Sequence, residues 1–207
     1  MIEVNFLVHF PASSQNSRED IMIHDAFSAG VEPGGLYSGD EIKVLICYLL
    51  MHVSEPLTRD IVSDVVVGGG MANYFETGAG LEELIDLHNI EEAEDGTLRL
   101  TAIGQQAAEA LTARIPLSLR ERSVSSAQRL LARRRREREN PVTIERHEEG
   151  CMVTCTINDA GMPLMTLQLW VADNTQAKLV KERFIDDPSA LYKMVLDHLT
   201  AAEEENT

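Results

Sequence analysis

The first sustained apolar period of the chain begins just after Ser38. Ile42, Leu45, Ile46, Leu49, Leu50 and Val53 recur at helical spacing, which puts them on one face. The string Ser38-Gly39-Asp40-Glu41 before them has the form of a capping box, with the serine capping and Glu41 reaching back. Pro56 follows the helix, and Thr58 is placed to cap a second one carrying Ile61, Val62, Val65 and Val66. Gly68-Gly69-Gly70 ends it. A third helix holds Leu81, Leu84, Ile85 and His88 after Asn73-Tyr74-Phe75. Gly78 and Gly80 lie inside that stretch. Each costs about 1 kcal/mol in a helix interior, so the helix is expected either to start late, near Gly80, or to fray at its beginning.

Ile90 to Ala93 and Leu98 to Leu100 flank Asp95-Gly96 and predict a two-stranded hairpin. Thr101 ends it and caps a fourth helix with Ala107, Ala108, Leu111 and Ile115 inward. Gly104 removes a side chain where that helix meets its neighbours. Leu117 to Arg138 reads as one long helix with Val124, Ala127, Leu130 and Leu131 as its apolar content, stopped by Asn140-Pro141. Past Pro141 the period becomes two. Cys151, Val153, Cys155 and Ile157 alternate with polar neighbours, and Met165, Leu167, Leu169 and Val171 face one way while Thr166, Gln168 and Trp170 face the other. This predicts a three-stranded antiparallel meander, half covered by helices that begin near Asp173 and at Pro188.

Three helices, a hairpin and a further helix are the parts of a winged helix-turn-helix, whose third helix here, roughly residues 75–88, would enter the major groove. The fold class expected is therefore α+β. A winged helix-turn-helix domain spans 38–114 and an arginine-rich connecting helix spans 115–140. A C-terminal three-stranded antiparallel sheet covered by helices spans 141–200 and serves dimerisation or sensing. Residues 1–37 show breakers and no period, and read as a partly disordered extension with Met22 as a plausible second start. Residues 201–207 are an acidic tail.

Charge changes this picture. The chain has a formal charge of −16, which repels phosphate and membrane surfaces unless positive charge is segregated. It is segregated. Between Arg114 and Arg138 there are nine arginines against Glu121 and Glu137, a local charge of +7 that leaves −23 elsewhere. From Ser38 to Ala113 only Lys43, Arg59 and Arg99 face fourteen acidic residues. The third helix has Glu76, Glu82, Glu83 and Asp86 with no basic residue, and Glu94 and Asp95 occupy the wing tip. Lys and Arg contacts to phosphate supply most non-specific affinity, so this face is poorly equipped for DNA. Candidate DNA contacts are Arg59, Asn73, Tyr74, Thr77 and Arg99 in the winged helix, and Arg133, Arg134, Arg135, Arg136 and Arg138 beyond it. Asn73, Tyr74 and Thr77 fit capping or core positions equally well. The arginine run has three readings: a solvated helix end, a contact for nucleic acid or an acidic partner, or a neutraliser of the chain's own acidic domain.

No catalytic constellation appears, so no enzyme and no cofactor are expected. The six histidines are scattered, and His147 with Cys151 lacks partners at zinc-site spacing. Gly68-Gly69-Gly70 has no following Lys-Ser or Lys-Thr and is no phosphate loop. Three cysteines, Cys47, Cys151 and Cys155, do not form a disulfide framework and read as buried and reduced. No run approaches the ~18–20 apolar residues of a membrane span, and the N-terminus lacks the basic region of a signal peptide. A cytoplasmic protein without a membrane partner is expected. Leu130 and Trp170 are candidate dimer contacts, although Trp170 suits helix packing as well.

Several local strings carry a family resemblance. They are Asn73-Tyr74-Phe75, Leu100-Thr101-Ala102-Ile103-Gly104, Arg114-Ile115-Pro116-Leu117-Ser118-Leu119-Arg120, Gln176-Ala177-Lys178 and Leu191-Tyr192. Over roughly 38–199 the chain resembles an uncharacterised bacterial winged-helix family, a domain of unknown function, and is distantly similar to PadR-like transcriptional regulators. The resemblance implies the fold and a regulatory role, with DNA as partner, and the helix after Pro116 with the half-covered sheet predicts a second copy of the chain as a further partner. An interaction adaptor that binds protein instead of DNA is the alternative.

Overall fold

A computed structural model describes residues 30–201 of the chain. The expected extension up to residue 29, with Met22, and the tail from residue 202 lie outside the described residues. The architecture is α+β with two three-stranded antiparallel sheets. Two compact units divide the chain, residues 1–127 and 128–207.

In the first unit the order is α1 (Gly39–His52), β1 (Leu57–Thr58), α2 (Arg59–Val66), α3 (Tyr74–Asp86), β2 (Ile90–Glu92), β3 (Thr97–Leu100) and α4 (Ala102–Leu111). A 3-10 turn at Thr112–Arg114 leads to α5 (Leu117–Glu139), which runs on past the unit boundary. Helix α1 is the centre of the core. Ile42, Leu45, Ile46 and Leu49 are fully buried, as their spacing predicts, while Leu50 is half-buried. The capping box does not close. Ser38 is the N-cap but its side chain makes no capping hydrogen bond. Asp40 turns to Lys43 at 2.9 Å, and the acidic first turn complements the helix dipole instead.

Helix α2 forms as expected, with the Thr58 hydroxyl accepting from the Ile61 N–H at 3.4 Å. Helix α3 begins at Tyr74 rather than at Gly80. The Asn73 side chain accepts from the Glu76 N–H at 2.9 Å, and the Thr77 hydroxyl donates to the Asn73 carbonyl at 2.7 Å. An N-cap of this kind contributes about 1 kcal/mol, which offsets the cost of one of the two glycines. Gly80 has a packing reason as well. It is buried against α1, and a Cβ there would stand 3.3 Å from Lys43 Cγ. Gly78 is exposed with nothing near it. Replacing Gly78 by alanine is therefore expected to stabilise the protein by about 0.5–1 kcal/mol in urea unfolding. An unchanged midpoint would count against helix propensity as the limiting term there.

The third helix ends at Asp86, and His88 adopts φ +55°. It is exposed, outside the helix and not on its inward face, which corrects the reading of the sequence. The hairpin is also larger than its sequence predicts. Strand β1 joins β3, with Leu57 opposite Leu98 and Thr58 opposite Thr97, so the sheet order is β1-β3-β2. A two-residue strand is too short to show a period. The Thr101 hydroxyl caps α4 by accepting from the Gly104 N–H at 3.1 Å. Ala108 and Ile115 are buried, with Ala107 and Leu111 half-buried. Ahead of α1, the Glu32 N–H donates to the Gly70 carbonyl at 2.8 Å and the Leu36 N–H to Met71 at 2.7 Å. Leu36 is buried, so this described part of the expected extension packs on the loop after α2.

The second unit contains the end of α5, then β4 (Val142–His147), β5 (Gly150–Asp159), β6 (Met162–Val171), α6 (Asn174–Asp186) and α7 (Pro188–Thr200). The strands form the predicted meander in the order β4-β5-β6. Cys151, Val153, Cys155 and Ile157 are buried with Ala177, Phe184 and Ile185 of α6, and Leu191 and Tyr192 of α7 close the cluster. Aspartates start both helices. Asp173 accepts from the Thr175 and Gln176 N–H groups at 2.8 Å each, and Asp187 from the Ala190 N–H at 2.9 Å. Asn140 ties the end of α5 to the sheet, donating to the Arg136 carbonyl and accepting from the Asn158 N–H at 3.3 Å.

Candidate nucleic-acid interface

In the first unit the residues singled out around α3 separate into two groups. Asn73 and Thr77 are only 3% and 1% exposed, and their side chains complete the first turn of α3. They present nothing outward. Tyr74 and Phe75, by contrast, are 66% and 72% exposed and pack edge to face with centroids 5.8 Å apart. Phe75 is not among the contacts expected from the sequence. An aromatic at the second position of a helix, off the apolar face, was the signal available for it.

The basic residues of this surface are engaged with its acids. Lys43 pairs with Asp40 and Glu83, both at 2.9 Å. Glu83 first and Asp40 next hold its ammonium charged above the ordinary lysine range. Arg59 reaches Glu92 at 2.9 Å and also bonds Glu82, so it clamps the start of α2 to α3 and β2. Arg99 is exposed on β3 opposite Glu91. At the turn between β2 and β3 the Thr97 hydroxyl and N–H donate to Asp95 at 2.7 and 3.0 Å. Thr97 is the main reason the Asp95 carboxyl is held below the usual carboxylate value, with Arg99's charge adding to it. Two of the three basic side chains thus already neutralise the unit's own acids.

Helix α5 carries the arginines. Within the first unit, Arg120 lies 5.9 Å over the Tyr48 ring and Arg122 meets Glu32 at 3.1 Å. Within the second, Arg133 pairs with Glu137 at 3.3 Å and Asp186 at 3.7 Å, and Arg136 donates to the Ile185 carbonyl at 2.9 Å. Arg134 is half-buried, while Arg135 and Arg138 are exposed. The run is thus partly structural: Arg133 and Arg136 fasten α5 to α6, and Arg135 and Arg138 face solvent. Leu130 is half-buried. Trp170 is 53% exposed on the outer face of the meander, its ring 5.2 Å from that of His147.

A cleft of about 390 Å³ opens in the first unit between α1, α3 and α4, lined by Lys43, Val44, Leu84, Ala108 and Leu111 among others, with Cys47 in its wall. Nothing in the sequence pattern marks it, because small residues at Ala107 and Ala108 leave the space and a helical period does not register their size. Burial pushes the Cys47 thiol up to about 11. A thiol with a raised pKa in the folded state adds stability below its unfolded value of about 9, and that stability is lost as pH climbs toward about 11. The urea midpoint of the wild-type protein should therefore fall more steeply over this alkaline window than that of Cys47→Ala. Equal slopes would refute the burial effect. Among the described residues no group of three or more His, Cys, Asp or Glu is gathered to hold a metal, and no helix is long and apolar enough to cross a membrane.

A family model described as Domain of unknown function (DUF4364) matches residues 42–199. No curated protein and no solved structure matches the chain.

Proposed function

The chain belongs to the DUF4364 family, and from its residues we propose that it is a cytoplasmic, non-enzymatic transcriptional regulator of the PadR-like, winged-helix kind. In this reading the first unit is a winged helix-turn-helix that binds DNA, and the second supplies dimerisation or sensing. The observation that carries the proposal is the order α1-β1-α2-α3-β2-β3 with β1 added to the β2–β3 hairpin, since a winged helix-turn-helix has its elements in that order. The arginines of α5 support it as a source of phosphate contacts, with Arg135 and Arg138 outward.

The test is the salt dependence of duplex binding, followed by fluorescence anisotropy at low ionic strength. Each neutralised phosphate contributes roughly −0.9 to the slope of log affinity against log salt. Arg135→Gln with Arg138→Gln is expected to flatten the slope by up to about 2, since each exposed arginine reaches at most one phosphate here. Asn73→Ala is expected to cost about 1 kcal/mol of stability through the lost cap without changing the preferred sequence. A wild-type protein without DNA affinity at low salt overturns the regulator reading.

A second reading is favoured by one feature of α3. Its outward surface combines Glu82, Glu83 and Asp86 with the exposed pair Tyr74 and Phe75. Exposed aromatics anchor protein interfaces, and an acidic surround repels phosphate. On this reading the domain is an adaptor for a protein partner. Tyr74→Ala with Phe75→Ala would abolish that contact while leaving the fold intact, because neither ring is in the core.

A further inference from the structure

We propose that two copies of this chain join through antiparallel pairing of β6 with β6, so that two three-stranded sheets become one sheet of six strands. The inference rests on the reading of the second unit as the dimerisation domain and names its interface.

Strand β6 is an edge, because among the described residues its only strand neighbour is β5. It runs for 10 residues, Met162–Val171, against 6 for β4 at the opposite edge. An edge strand offers a row of unpaired N–H and C=O groups, and proteins blunt such edges by shortening them or placing charges on them. β4 is blunted in both ways, being short and carrying Glu145 and Arg146. β6 has neither device, and its proline and the register shift opposite Ile157/Asn158 are confined to its start, which leaves Met165–Val171 regular. From Ala160 to Ala172 no residue is charged, in a chain whose formal charge is −16. Pro163, the one residue there that lacks an N–H, sits at the strand's beginning. Two such acidic molecules can approach only where like charge is absent, and this edge is such a place.

The side chains of β6 are complementary to themselves. On the outer face of the regular stretch Trp170 is 53% exposed, with exposed Thr166 and Gln168 beside it, and Leu164, 46% exposed, stands at the register shift. Over the regular stretch, antiparallel pairing about a two-fold axis at Leu167 sets Thr166 of one copy opposite Gln168 of the other. The polar side chains then meet each other across the axis. On the inner face Met165 falls opposite Leu169 and Leu167 opposite itself. These inner residues are only half-buried in one copy, whereas Cys151, Val153, Cys155 and Ile157 on β5 are at most 5% exposed. The apolar layer thus reaches the edge incomplete, and a second copy continues it.

Light scattering of the full chain at micromolar concentration tests this, with the monomer mass being 23.0 kDa. The wild-type protein is expected at twice that mass. T166E/Q168E sets two pairs of like charges across the axis and should run as a monomer, since like charges directly opposite destabilise a strand pair. T166E/Q168K sets opposite charges across the same pairs and should restore the dimer. Both substituted positions are outer-face sites, and the facing Thr154 and Thr156 of β5 are neutral. A wild-type monomer overturns both this interface and the dimerisation reading. A wild-type dimer that persists in T166E/Q168E, or that T166E/Q168K fails to restore, overturns the β6 interface alone.

Discussion

Gly104→Ala is expected to destabilise the first unit by about 3 kcal/mol, the upper end of the usual overpacking range. A Cβ at this position would lie 2.0 Å from the Asn89 carbonyl oxygen and 2.9 Å from its carbon. Backbone, unlike the tip of a flexible side chain, cannot swing aside. The Asn89 carbonyl is also pinned. It accepts the Thr101 N–H at 3.0 Å, while the Asn89 N–H donates to the Leu84 carbonyl at 2.9 Å. Relieving the clash must therefore disturb the end of α3 or the cap of α4. Urea unfolding at constant m-value measures the loss. A cost below about 1 kcal/mol would mean that α4 moves out without disturbing those bonds. Gly78→Ala is the natural control, because it is the same chemical change with the opposite expected sign.

These two glycines also show what a sequence discloses and what it withholds. Gly104 is legible as a close approach because it follows a capping threonine and precedes an apolar run, so only one side of the helix is available to it. Gly78 and Gly80 look alike in the sequence, yet one is exposed and the other packs on α1. Propensity counts both as losses, whereas the Asn73 cap and the contact with α1 decide where α3 starts. The meander, the caps at Thr58, Thr101 and Asp173, and the buried row on β5 follow from periods and turn chemistry, which act over a few residues. Strand β1 and the cleft beside Cys47 do not, because each is made by contacts between segments far apart in the chain.

The candidate interface was less legible than the fold for a related reason. Residue type says that Arg59 and Lys43 are cationic, but only the packing shows that Glu82, Glu83 and Glu92 already occupy them. Asn73 and Thr77 follow the same rule in reverse. Their polarity suggests contact with solvent or DNA, and burial assigns them to the start of α3. In the arginine run the sequence gives a charge density without a direction. The carbonyl of Ile185 and the carboxylate of Asp186 separate Arg136 and Arg133 from the exposed Arg135 and Arg138.

Phe184→Ala is expected to cost the second unit about 3–5 kcal/mol, the range for deleting a fully packed phenyl ring. Phe184 is 4% exposed on α6 and belongs to the cluster with Val153, Cys155 and Ile157, so its removal opens a cavity beneath the middle strand of the sheet. A unit of this size has only about 5–10 kcal/mol to lose, and the variant should sit close to its unfolding midpoint at 37 °C. Trp170 provides the readout. It is the only tryptophan in the sequence and lies on the opposite face of the same sheet, so its fluorescence follows unfolding of the sheet without touching the mutated site. Met165→Ala makes the comparison quantitative. Its side chain is half-buried on the edge strand, and its loss should cost roughly half as much as a buried methionine, about 1–2 kcal/mol. Equal costs for Phe184 and Met165 would mean that the core is centred on the β6 edge rather than under β5. A cost near zero for Phe184 would mean that α6 does not dock on the sheet at all.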